Sequence, residues 1–253
     1  MKKLLLSFAA ILLLSCCKEK PDPEPPIQSE VVGVKMVLDH QFDNQTLSLN
    51  DAIYATTNNT IGVSVFSYYL SNFEFKRPDG TWHKLDQYEL INAHEKIVDT
   101  IVFKDLPKGS YTGMRFTLGV DSANNHADPA LWPNEHPLGL LRAAAMHWSW
   151  NAGYIFLKLE GSYRKDQSPQ PGYYSYHIGR SELITQYEFE DVAFNYDEKS
   201  VYIPTRFRVK NFFDTPHAHL IADTSFFTHS SIGDQVADIL HGNMGDLFEI
   251  NMP

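Results

Sequence analysis

Several stretches of this chain alternate apolar and polar residues with the period of two that is typical of β-strands. In residues 32–42 the even-numbered positions are apolar except for His40, which predicts a strand with one buried face. Alternation or richness in β-branched and aromatic residues predicts four further strands: residues 63–75, 114–120, 154–163 and 201–209. Turn signals at 78–80 and 107–109 separate such runs. We therefore expect an all-β chain folded as an antiparallel β-sandwich.

One segment near the C-terminus has the spacing of a short helix. Ser231 is a suitable N-cap for it, and Gly242 is a suitable stop. Its predicted apolar face consists of Ile232, Val236, Ile239 and Leu240.

A long inserted loop, residues 121–150, interrupts the strand pattern. It contains no clear strand and at most a short helix, yet it carries three of the four tryptophans and three histidines. Loops of this length inside a compact domain are usually functional or disordered. The aromatic residues favour a packed loop, and we expect a binding site in it.

The N-terminus has the pattern of a lipoprotein signal peptide. Two lysines precede an apolar run that ends in Leu13-Leu14-Ser15-Cys16, and the run is about half as long as a membrane span. We expect residues 1–15 to be removed and Cys16 to carry the lipid, in the periplasm or at the cell surface and on the outer membrane. An ordinary secretory signal with an incidental cysteine is the alternative.

Composition and charge restrict the domain organisation, the class of partner and the types of metal site that are possible. Residues 16–30 are charged and proline-rich, so they are expected to form a tether, and residues 31–253 are expected to form one domain. The formal charge of −10 argues against nucleic acid as a partner. Cys17 is the only other cysteine, which excludes a disulfide or a thiolate metal site from the domain.

Histidine is the commonest protein ligand for transition metals, and the chain has 11 of them. His40 lies on an apolar strand face, where both ring nitrogens need a metal, a hydrogen-bond partner or water. His177, among aromatic residues, allows the same two interpretations. His217 and His219 could share one strand face and chelate a metal, although a solvated loop is the alternative there.

Motifs for nucleophilic catalysis are absent from the sequence. It has no Gly-x-Ser-x-Gly elbow, no His-Glu-x-x-His helix and no phosphate-binding glycine loop. Nucleophilic catalysis therefore has little support in the sequence.

Several blocks of the sequence together resemble a single family. On these blocks the chain is similar, over roughly residues 31–250, to the MbnP-like proteins, which are extracytoplasmic copper binders. The blocks are residues 66–73 (FSYYLSNF), 116–122 (FTLGVDS), 128–133 (DPALWP), 146–156 (MHWSWNAGYIF), 160–161 (EG) and 176–179 (YHIG).

The resemblance implies a β-sandwich that holds one copper ion through histidines and a kynurenine. It also implies that a partner protein, a di-haem peroxidase related to cytochrome c peroxidases, makes the kynurenine by oxidising a tryptophan. Carried over to this chain, the residues implied at the copper ion are His40 and His177 as imidazole ligands, Trp148 or Trp150 as the kynurenine precursor, and Met146 or His147 as a neighbour.

A second function of a different class is open at this stage. The tyrosines and tryptophans could form an aromatic platform on a surface lipoprotein that binds glycans or proteins, with incidental histidines. Copper content after purification separates the two hypotheses.

The lipid anchor leads to a prediction about Cys16. Replacing Cys16 by Ala is expected to abolish fatty-acid labelling and to leave an unprocessed or soluble product, because the acceptor thiol is lost. Cys17→Ala is the matched control and should label normally. Undiminished labelling of Cys16→Ala would place the lipid elsewhere.

Overall fold

Strands make up most of the regular structure, as the alternation of apolar and polar residues predicts. The computed structural model describes residues 32–149, 153–165 and 169–253. The predicted signal peptide and tether, with Cys16, and also Trp150 lie outside these described residues. Residues 32–253 form one compact unit.

The strands of the described residues, in chain order, are β1 (Val34–Phe42), β2 (Gln45–Thr46), β3 (Tyr54–Ala55), β4 (Thr60–Lys76), β5 (Trp82–Lys84), β6 (Glu89–Asn92), β7 (Val98–Phe103), β8 (Gly109–Tyr111), β9 (Gly113–Leu118), β10 (His147–Ser149), β11 (Gly153–Tyr163), β12 (Gly172–Gly179), β13 (Thr185–Phe189), β14 (Phe194–Tyr196), β15 (Val201–Arg208), β16 (Phe227–Thr228) and β17 (Phe248–Ile250). The helices are α1 (Ser122–Asn125), α2 (Val209–Asp214) and α3 (Gln235–Gly242). Single turns of 3₁₀-helix occupy Pro129–Leu131, Ser181–Leu183 and Asn243–Asp246.

Two large sheets contain most of these strands. The smaller has the order β17-β15-β1-β2, with β7 also paired to β1. The larger has the order β13-β9-β4-β11-β12-β16, with short strands β3, β5 and β6 on β4 and β10 on β11. Strands β14 and β8 form a separate pair. The pairs β1–β15 and β12–β16 are parallel, and the other pairs are antiparallel.

Aromatic side chains join the two large sheets face to face. Phe207 of β15 lies 4.9 Å, between ring centroids, from both Phe66 and Tyr68 of β4. Phe248 of β17 packs edge-on against Phe116 of β9 at 5.1 Å. Such edge and tilted arrangements are the favourable ones for buried rings. The predicted β-sandwich is therefore confirmed.

The five predicted strands are all present as β1, β4, β9, β11 and β15. Within β1 the even positions are buried as expected, but Val32 is 54% exposed and lies before the strand. The predicted helix is present as α3, although its predicted cap was wrong. Asp234 is the N-cap, and its carboxylate accepts hydrogen bonds from the amides of Val236 and Ala237. Ser231 instead begins the preceding turn, which leaves Ile232 93% exposed and outside the helix.

The long loop is packed onto the larger sheet, as its aromatic residues suggest. Asn125 is fully buried, and its side-chain oxygen accepts a hydrogen bond of 2.9 Å from the amide of Tyr154 in β11. The hydroxyl of Tyr154 donates to the carbonyl of Leu138 at 2.6 Å, and that of Tyr69 donates to Pro137 at 2.9 Å. These bonds hold both halves of the loop against β4 and β11.

Helices are short throughout the described residues. The longest, α3, has 8 residues, and none of the helices described is both long and apolar enough to cross a bilayer.

Candidate functional site

In the tryptophan motif, β10 is paired antiparallel with β11. Met146 is buried in the core just before β10, and its carbonyl accepts from the amide of Ile155 at 2.8 Å. His147 lies opposite Tyr154 and packs edge-on against its ring at 4.7 Å. The Nε2 atom of His147 is buried and has no hydrogen-bond partner among the described residues. Burial lowers the pKa of His147, which favours the neutral ring.

The indole of Trp148 is held against β12 by a glycine. A Cβ atom added to Gly179 would lie 2.8 Å from Cζ3 of Trp148, so the ring fills the space that any other residue would need. The indole Nε1 is buried without a hydrogen-bond partner in the described part of the chain. A buried donor without a partner is costly and calls for an explanation.

His177 lies on the face of β12 that points away from the aromatic core. It is paired with Lys158 of β11, and its Nε2 lies 2.7 Å from Oε1 of Glu160 and 3.2 Å from Oγ of Ser175. Its other ring nitrogen, Nδ1, is buried and has no partner among the residues described. His177 therefore has one ring nitrogen engaged by protein and one free.

Burial of His177 favours a neutral imidazole beside the ionised carboxylate of Glu160. Burial lowers the pKa of His177, although the hydrogen bond to Glu160 opposes that shift. Burial by itself would raise the pKa of Glu160, but hydrogen bonding by His177 and the charge of Lys158 outweigh it and lower that pKa. At neutral pH the Glu160 carboxylate can only accept hydrogen bonds, so Nε2 of His177 carries the proton. The lone pair of the neutral ring is then on Nδ1.

A second imidazole, that of His229, stacks on His177. The two rings are nearly parallel, with an interplanar angle of 9° and centroids 4.7 Å apart. The other neighbours of the His229 ring are Phe227, at 4.4 Å, and the indole of Trp148, at 5.9 Å. His177, His229 and Trp148 therefore form a contiguous group, which we call the histidine–tryptophan cluster.

The segment that contains His229 is held along β12 by strand pairing and by a hydrogen bond. Strand β16 pairs with β12 just before His229, and the hydroxyl of Ser230 donates to the carbonyl of His177 at 2.8 Å. Ser230 has a φ of +56°, a conformation that is uncommon outside glycine and asparagine. Along the sequence His229 has no chelating neighbour, so sequence reasoning missed it.

A cavity of about 630 Å³ opens beside Trp148 and His229 of the cluster. Trp148 and His229 line it together with His126 and Arg180. His126 belongs to the long loop, Trp148 to β10 and His229 to the segment after β16, so three separate parts of the chain meet at this cavity. Its volume lies in the range of small-molecule sites.

His40 lies elsewhere, between the two sheets. Its Nε2 is 2.8 Å from the hydroxyl of Tyr68, and its Nδ1 is hydrogen-bonded to the carbonyl of Ile97. A carbonyl only accepts, so Nδ1 carries the proton and Nε2 accepts from Tyr68. Burial lowers the pKa of His40, which matches this neutral and fully satisfied ring. Neither nitrogen has a free lone pair, and these contacts favour the core-histidine interpretation.

The His217–His219 pair is not solvated as a whole. His219 is 4% exposed, and its Nε2 lies 3.0 Å from the hydroxyl of Tyr176, so its ring is a satisfied part of the core. Within residues 32–149, 153–165 and 169–253, no group of three or more His, Cys, Asp or Glu side chains is arranged to hold a metal ion.

Comparisons with known proteins agree with this architecture. A family model described as MbnP matches residues 32–239. Among solved structures, MbnP from Methylosinus trichosporium is similar with a TM-score of 0.57 and 14% sequence identity, over 86% of this chain and 97% of that chain. At this identity the likeness shows the fold. No curated protein sequence matches the chain.

The contacts of His40 predict that this residue contributes to the stability of the fold. His40→Ala should lower the free energy of unfolding by about 1–3 kcal/mol, because it leaves Tyr68 without its partner and opens a cavity. Denaturant unfolding measures this loss, and Tyr68→Phe, which removes only the hydroxyl, should cost less. Loss of bound copper from a variant with unchanged stability would instead make His40 a ligand.

Proposed function

The chain belongs to the MbnP family, and we propose that it is an exported, lipid-anchored protein that binds one copper ion. The family is associated with copper. The observation that carries the proposal is the free Nδ1 of His177, a buried lone pair in a ring that stacks on His229 beside Trp148. A metal ion would satisfy this nitrogen.

Two imidazoles supply the protein's own donor atoms in this proposal. They are those of His177, through Nδ1, and His229, and imidazole nitrogen is a suitable ligand for copper. Imidazole lone pairs lie in the ring plane, and the two rings are parallel within 9°, so one ring must rotate for both to bind one ion. His229 is exposed and is the ring proposed to rotate towards an ion at Nδ1 of His177. Both cysteines of the chain, Cys16 and Cys17, precede the domain, so a thiolate is not part of the proposed set.

The further ligand is a kynurenine derived from Trp148. Oxidation by four electrons cleaves the bond between indole C2 and C3 and adds one oxygen atom, from water, to each of these two carbons. Hydrolysis by a further water then releases C2 as formate and leaves C3 as a ketone carbon and the ring nitrogen as an aniline amine. The four electrons and four protons pass to two molecules of peroxide, which are reduced to water at the di-haem peroxidase partner. Trp148 is favoured by its position in the cluster and by its unpartnered Nε1, while Trp150 lies outside the described residues and is the alternative precursor.

The cavity in front of Trp148 supports this chemistry in two ways. Its volume of about 630 Å³ leaves room for the opened ring to turn away from the position of the indole. It also lies at the surface, where His229 is exposed and a partner or a copper donor can approach. The protein is then a binding protein in copper handling outside the cytoplasm, anchored through Cys16, and not an enzyme.

The alternative aromatic platform has less support. It requires tyrosines and tryptophans on the surface, but the tyrosines of the described residues are largely in the core. Those with fully buried side chains are Tyr68, Tyr69, Tyr111, Tyr154, Tyr174 and Tyr176.

The proposal predicts the metal content of purified protein. The full chain, expressed in an oxidising periplasm with its di-haem partner, should contain one copper ion per molecule and a kynurenine at Trp148. Trp148→Phe and His177→Ala should each lose most of the copper, because each removes one ligand. Elemental analysis and peptide mapping measure both results.

Matched controls separate the loss of a ligand from the loss of the fold. His94→Ala changes an exposed histidine and should keep its copper, and Trp148→Phe should remain folded because an aromatic ring still fills the space beside Gly179. Full copper content in both Trp148→Phe and His177→Ala would contradict the proposal, as would unmodified tryptophan in copper-loaded protein.

A further inference from the structure

Glu160 has a close contact with a proposed ligand but has no assigned role. It lies on β11 opposite Ser175 of β12 and diagonal to His177. Its Oε1 lies 2.7 Å from Nε2 of His177, 3.4 Å from Oγ of Ser175 and 3.5 Å from Nζ of Lys158. One carboxylate oxygen therefore meets three polar groups on the same face of the sheet.

We propose that Glu160 is the positioning residue of the copper site. It holds the imidazole of His177 in the tautomer that carries its proton on Nε2, and so keeps the lone pair on Nδ1 for the metal. The inference rests on the proposed function, because it assigns Nδ1 of His177 as a copper ligand. Carboxylates that orient metal-binding histidines in this way are common, and their loss weakens metal binding about 10–100-fold.

The carboxylate is needed because the other neighbour of Nε2 cannot select a tautomer. The hydroxyl of Ser175 can donate or accept, so without Glu160 it could donate to Nε2 and let the proton move to Nδ1. That tautomer has no lone pair on Nδ1. Lys158 contributes a second contact: its ammonium lies 3.5 Å from Oε1 of Glu160 and can only donate, so it helps to hold the carboxylate in place as the acceptor for Nε2.

The position of Glu160 is determined by the sheet. Strand β11 is paired along one edge with β4 and along the other with β12, so the two residues cannot shift relative to each other without breaking both ladders. The side chain of His177 is 11% exposed and that of Glu160 is 28% exposed. Water therefore has little access to compete for Nε2.

The tautomer of His177 can be measured without copper. In the mature protein purified free of metal and labelled with ¹⁵N-histidine, two-bond ¹H–¹⁵N correlation spectra should show protonated Nε2 and bare Nδ1 in the wild type. In Glu160→Ala the Nδ1-protonated form should appear, and copper affinity in the kynurenine-containing protein should fall about 10–100-fold. Glu160→Gln keeps an accepting oxygen, so it should retain more of the wild-type tautomer and affinity.

Controls keep the outcomes distinct. Glu188→Ala removes a carboxylate of β13 that lies 3.6 Å from Arg115, as Glu160 lies near Lys158, and should change neither the tautomer nor the affinity. An unchanged Nε2-protonated tautomer together with unchanged affinity in Glu160→Ala would overturn the role of Glu160. Absence of copper from the wild-type protein would contradict the proposed function, whereas the tautomer spectra would still decide what Glu160 does to His177.

Discussion

The packing of β4 against the second sheet is the constraint on which the rest of the molecule depends. This strand has 17 residues, and its inward rings, Phe66 and Tyr68, meet Phe207 of the opposite sheet. A slip of one residue would turn these rings to the other face, so their burial also sets the register. Strand β11 is aligned on β4 and β12 is aligned on β11, which carries that register outward to His177.

The candidate site therefore lies on the face of the larger sheet that points away from the core. Tyr176 and Ile178 are buried on one side of β12, while His177, between them, is directed to the other side with Lys158 and Glu160 of β11. Rigid strands supply one histidine and its carboxylate partner. Strand β10 and the segment after β16 bring Trp148 and His229 next to them. His177, the proposed first ligand, is therefore fixed by the sheet, whereas Trp148 and His229 line the cavity, where a partner could reach Trp148 for the proposed oxidation.

Alternation of apolar and polar residues was sufficient to predict the main strands and the sandwich, because a buried face repeats every second residue. It could not decide between the two interpretations of His40, since a metal ligand and a satisfied core histidine give the same pattern. His177 was found through a motif, but His229 was not, because their stacking depends on the pairing of β12 with β16. The helix cap was misplaced for a local reason: Ser231 and Asp234 are both good caps, and the turn between them selects Asp234.

The central claim is that copper binds at the histidine–tryptophan cluster. Anomalous diffraction at the copper absorption edge, from crystals of protein isolated with its native metal, locates the ion directly. The account predicts one peak within bonding distance of Nδ1 of His177 and beside the ring derived from Trp148. A peak between the sheets at His40, or at a site that contacts neither residue of this pair, would contradict it.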